Sequence, residues 1–60
     1  MKVQFKTENA AFGDDDDESG EAMRAESARI LRHIADLLDS GRASGAVMDF
    51  NGNRVGEWTL

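Results

Sequence analysis

Residues 21 to 39 carry the pattern that constrains this chain most. At about 100° per residue, Met23, Ser27, Ile30, Leu31, Ile34, Leu37 and Leu38 fall on one face about 120° wide. Arg24, Ala25, Ala28, Arg29, Arg32, Ala35, Asp36 and Asp39 fill the rest. The spacing predicts one amphipathic helix, and in a chain of 60 residues the remainder must supply the layer that covers its apolar face. Ser19 or Asp17 is placed to cap the N-terminus, where neighbouring acids also favour the positive end of the helix dipole. Gly41 sits where a left-handed stop belongs. Arg32 and Asp36 are four apart, and Glu26 and Arg29 three apart, each pair worth a few tenths of a kcal/mol.

The flanks read as strands. Residues 1 to 7 alternate, with Met1, Val3, Phe5 and Thr7 on one side and Lys2, Gln4 and Lys6 on the other. This predicts a half-buried strand whose lysines discourage edge-to-edge pairing. Residues 44 to 60 read as a β-hairpin around Asp49-Phe50-Asn51-Gly52-Asn53, because Asn-Gly between apolar-containing runs is a strong hairpin signal. Two registers are open. A two-residue type I′ turn at Asn51-Gly52 pairs Met48 with Val55. A type I turn opening on Asp49, with Gly52 left-handed in a G1 bulge, pairs Val47 with Val55 and is favoured by aspartate at the first turn position. Gly56 marks a further irregularity that turns Trp58 inward.

The order strand, acidic loop (8–20), helix, hairpin predicts one α+β domain over residues 1–60. It is a βαββ arrangement in which a three-stranded sheet carries one amphipathic helix on one face. The expected core is Val3, Phe5, Phe12, Ile30, Leu31, Ile34, Leu37, Leu38, Val47, Val55 and Trp58. The chain has no cysteine, so disulfides, thiolate metal sites and thiol catalysis are excluded. So small a domain needs other support, and an open sheet face points to a homodimer. There is no run of about 18 apolar residues to span a membrane. The first residues lack the apolar stretch of a secretory signal, so a cytoplasmic location is expected.

Charge is unevenly placed. Of twelve acids, six lie between Asp14 and Glu21, while the rest of the chain is close to neutral. The run Asp14, Asp15, Asp16, Asp17 and Glu18 reads as a solvated loop, and as a handle for a basic protein surface. It repels phosphate backbones and so disfavours nucleic acid. Asp15, Asp17, Ser19, Gly20 and Glu26 also occupy positions 1, 3, 5, 6 and 12 of a calcium-loop template, which makes Asp15, Asp17, Ser19 and Glu26 candidate calcium ligands. The segment before them reads as strand and coil where that template has a helix. Arg24, Arg29 and Arg32 form a basic stripe that, with Lys2, Lys6, Arg42 and Arg54, gives an alternative nucleic-acid reading, but no aromatic residues interleave it.

Nothing signals catalysis. His33 lies at the edge of the apolar face without a nucleophile or an orienting acid, and reads as a partly buried structural histidine. Gly41, Gly45, Gly52 and Gly56 fit turns and the hairpin, not a phosphate cradle. No enzyme activity and no cofactor are expected, calcium aside.

The stretches Thr7-Glu8-Asn9-Ala10-Ala11-Phe12, Ala28-Arg29-Ile30-Leu31-Arg32-His33-Ile34-Ala35-Asp36 and Asp49-Phe50-Asn51-Gly52-Asn53-Arg54-Val55-Gly56 together resemble a group of very small proteins encoded by bacteriophages and prophages. The acidic run is longer here than in that group. The resemblance implies a bacterial or phage setting and no activity. With the charge pattern, the expectation is a non-enzymatic accessory protein that acts by protein–protein contact, as an inhibitor of a host or defence protein.

Overall fold

The computed structural model describes residues 1–13 and 19–60. Strand β1 (Lys2–Phe5) leads into a single 3-10 turn (Ala10–Phe12). Helix α1 (Glu21–Asp39) has the bounds the periodicity predicts. Strands β2 (Ser44–Met48) and β3 (Arg54–Thr59) form the hairpin. The sheet is antiparallel in the order β1-β3-β2, so β3 is central and β1 and β2 are edges. This is the α+β arrangement read from the sequence, with the helix on one face of the sheet.

Each end of α1 has a local cause. Gly20 precedes the helix with φ +69°, and the Ser19 hydroxyl accepts the Glu21 N–H at 3.2 Å. Ser19 therefore serves the helix start from one residue further back than an N-cap. At the other end Gly41 takes φ +98°. The Gly41 N–H then reaches the Leu38 carbonyl and the Arg42 N–H reaches that of Leu37. That crossed pair satisfies two of the helix's orphan carbonyls.

Registers put Val3 and Gly45 on either side of Trp58, and Phe5 and Val47 on either side of Gly56. These two rows form the face beneath α1, as the two-residue period requires. Ala11, Phe12, Ile30, Ile34, Val47 and Trp58 are buried together. Val3, Phe5, Leu37, Leu38 and Val55 pack against them. The Phe5 and Phe12 rings stack with centroids 6.0 Å apart. Burying a side chain of this size contributes about 1.5–3 kcal/mol each. Leu31 departs from the expected core. It is 51% exposed, and Met23 also lies open, because the core stripe is centred on Ile30 and Ile34 and continues toward Glu26.

The hairpin turn is the favoured type. Gly52 is left-handed at φ +84°, its N–H bonds the Asp49 carbonyl at 3.0 Å, and the Asp49 N–H bonds the Asn53 carbonyl at 2.9 Å. The expected pairing of Val47 with Val55 is not formed. Met48 faces Arg54 but Val47 faces Gly56, so Val55 is an extra residue in β3. Gly56 is required there: a Cβ would lie 1.9 Å from the Gln4 carbonyl oxygen and 2.5 Å from the Phe5 Cα. The bulge is the irregularity expected at Gly56, and it carries Trp58 to the helix side.

The outer sheet face presents Lys2, Gln4, Ser44, Ala46, Met48, Arg54, Glu57 and Thr59, with Met48 its one large apolar side chain. It is a largely polar face that the helix leaves uncovered.

Candidate functional site, a buried polar network beneath an exposed aromatic

Two carboxylates are buried between α1 and the hairpin turn: Glu26, 5% exposed, and Asp49, 4% exposed. Asp49 opens the turn and saturates its oxygens. Oδ1 accepts the N–H groups of Asn51 and Asn53, both at 2.9 Å. Oδ2 accepts Nδ2 of Asn9 at 2.8 Å and Nδ2 of Asn53 at 3.2 Å. Asn9 meanwhile caps the 3-10 turn, its Oδ1 accepting the Ala11 N–H at 3.0 Å. One aspartate thus ties the hairpin turn to the segment that follows β1.

Glu26 ties the same turn to the helix. Its Oε2 accepts the Phe50 N–H at 2.7 Å and Nη2 of Arg29 at 3.0 Å, while Oε1 accepts Nε of Arg29. Arg29 also donates from Nη2 to the Met48 carbonyl at 3.0 Å. The pair is therefore bidentate, the geometry in which an arginine–carboxylate contact is strongest.

These contacts set the titration of both acids. The Arg29 guanidinium holds the Glu26 carboxyl below its ordinary range against the opposing effect of burial, and the Phe50 N–H adds to it. Burial pushes the Asp49 carboxyl up, but the Asn53 backbone and side chain, Asn9 and the Asn51 N–H outweigh it and leave the group lowered. Arg29 is raised by its bond to Glu26. Both carboxylates are thus charged, fully partnered and structural in use.

The network presents Phe50. Phe50 is 63% exposed at the tip of the hairpin, although its backbone N–H is held by Glu26. Beside it runs a shallow, largely apolar groove lined by Ala11, Ala22, Ala25 and Arg29.

The sequence-predicted site residues stand as follows. Asp14, Asp15, Asp16, Asp17 and Glu18, the proposed partner handle and part of the calcium set, lie outside the described residues. Ser19 is exposed and faces the helix start. Glu26 is buried, with both oxygens engaged by Arg29 and Phe50. Among the described residues no group of three or more His, Asp or Glu side chains is placed to hold a metal. The basic stripe is also divided, since Arg29 is taken up by Glu26 and Met48. His33 is exposed, against the expectation of partial burial, and lies beside β2.

From the sequence Asp49 reads only as the first turn residue, Asn9 only as part of a connection, and Glu26 and Arg29 as a helix pair, with Glu26 also a calcium candidate. Two signals were present. Glu26, Ile30 and Ile34 are spaced by four, one row of the buried face. Asp49 followed by Asn51 and Asn53 is the spacing by which an aspartate accepts N–H groups two and four residues on. Asn9, Arg29 and Asp49–Asn53 thus have a folding role in this chain. Comparison with protein-family profiles, with curated proteins and with solved structures finds no match. Among the described residues no helix is long and apolar enough to cross a membrane.

Proposed function

We propose that this chain is a non-enzymatic interaction module, a phage or prophage accessory protein that binds, and thereby inhibits, a protein of the host cell. Phe50 is the observation that carries this reading. A buried carboxylate and an arginine are committed to holding a turn whose apolar tip faces outward. Exposed aromatic residues on rigid backbone lose little entropy on binding and recur as the anchors of protein interfaces. The acidic run at 14–18 supplies long-range attraction to a basic partner, while Phe50 supplies short-range affinity.

The test is capture from bacterial lysate on the tagged full chain, read by mass spectrometry. The expected result is one stoichiometric protein, retained less when Asp14–Glu18 are replaced by their amides and lost with Phe50→Ala. Capture that is indifferent to both variants, or recovery of the bait alone, overturns the reading.

A further inference from the structure

β2 is an edge strand of the sheet, paired on one side with β3. The bond from the Leu60 N–H to the Ala43 carbonyl sets the phase of the hairpin. With Gly45 opposite Trp58 and Val47 opposite Gly56, alternation turns the backbone N–H and C=O groups of Ser44 and Ala46 away from β3. The Ser44 carbonyl accepts Nη2 of Arg42 at 3.3 Å, and further along the same strand the Met48 carbonyl accepts Arg29. Two acceptors of the edge are thus masked by guanidinium groups while N–H donors remain, and β2 itself carries no acid. The edge is donor-rich, and Arg42 sets a positive charge beside Ser44.

Trp58 adds a specific feature. Its indole is 2% exposed, and Nε1 is buried with no hydrogen-bond partner among the described residues. A buried N–H without an acceptor is costly and rare in a folded protein. Nε1 is the ring atom nearest Gly45: it lies 2.9 Å from where a Cβ of that residue would stand, and Nη2 of Arg42 lies 3.6 Å from the same point. Two donors therefore converge over the one β2 residue that has no side chain. One step along the strand, a groove of about 110 Å³ opens between α1 and β2, lined by Ile30, His33, Ile34 and Val47 among others.

We infer that β2 accepts an extended peptide segment of a partner protein as an added strand. The segment carries a carboxylate side chain opposite Gly45 and an apolar side chain two residues away, opposite Val47. The carboxylate accepts from Trp58 Nε1 and Arg42, the apolar side chain enters the groove, and the Ala46 N–H and C=O make the central rung of the ladder. A second copy pairing through its own β2 does not fit, because Ser44–Met48 offers no carboxylate. The opposite edge, β1, carries Lys2, with Lys6 just beyond it, and lysines on an edge discourage strand addition. The inference rests on the interaction-module reading but not on Phe50 or the acidic run.

The test is an NMR titration of the full 15N-labelled chain with the capped pentapeptide Thr-Val-Thr-Glu-Thr. The same peptide with lysine for glutamate, and acetate alone, serve as comparisons. Saturable movement of the Trp58 indole N–H with slowed exchange at the Ala46 amide is expected, at least about tenfold weaker for the lysine peptide and for Arg42→Ala. Arg42 is exposed, so that variant retains the fold. Silence of both signals, or equal response to both peptides, overturns the inference. An indole shift produced by acetate and peptide alike, without protection of Ala46, overturns strand addition. Because Phe50→Ala leaves β2 untouched, failure here and failure of the lysate capture are separate results.

Discussion

Glu26 shows how much one side chain decides in so small a protein. Its carboxylate joins the helix to the hairpin through Arg29 and the Phe50 N–H, and it is withdrawn from water. Glu26→Ala takes the acceptor from the Phe50 N–H and leaves Arg29 with its bond to the Met48 carbonyl alone. The expected loss is about 2 kcal/mol, less than for a fully buried pair because Arg29 can turn to solvent; urea denaturation measures it. The pH dependence has a definite sign. Both Glu26 and Asp49 are held below their ordinary range in the folded state, so on acidification the unfolded chain takes up protons first. Their contribution is complete above about pH 5 and is lost as pH falls through the lower folded values. A denaturation series from about pH 6 to pH 3 should fall less steeply for Glu26→Gln than for the parent chain. Parallel curves would remove Glu26 from the account.

At the scale of elements, what was legible in the sequence follows a simple division. The helix was readable to its last residue because periodicity, the serine before it and Gly41 after it are all local signals. The turn type was readable because Asp49 and Gly52 determine it within four residues. The strand register was not, because the extra residue at Val55 answers to β1 on the far side of β3, where the Lys6 N–H takes the Val55 carbonyl at 2.9 Å. The polar network was hidden for the same reason: Asn9 and Asp49 are forty residues apart and meet only once the sheet exists. Gly56 tests this reading. Gly56→Ala places a methyl against the Gln4 carbonyl and the Phe5 backbone. It should cost about 3 kcal/mol or more and release β1 first. Amide exchange should quicken at Lys2 and Gln4, which pair with β3, before it quickens in α1. Uniform loss of protection would show that β1 and α1 unfold as one unit.

For the molecule as a whole, stability rests on one small core, and position relative to it outranks hydrophobicity. Leu31 and Ile34 sit three residues apart on the same helix, one 51% and the other 4% exposed. Ile34→Asp should abolish the cooperative thermal transition, because a buried unpaired charge costs more than a domain of this size can spare. Leu31→Asp should shift the transition by only about 0.5 kcal/mol. Equal damage from both would mean that the helix is rotated on the sheet. The placement of Trp58 reaches beyond stability. It is the single tryptophan of a chain without tyrosine, and its indole is buried between sheet and helix. Its fluorescence therefore belongs almost entirely to one site at the centre of the fold. Emission should be blue-shifted and shielded from acrylamide in the native protein, then move to the red and become quenchable as the helix lifts away. The protein carries its own optical gauge of whether its two layers are closed.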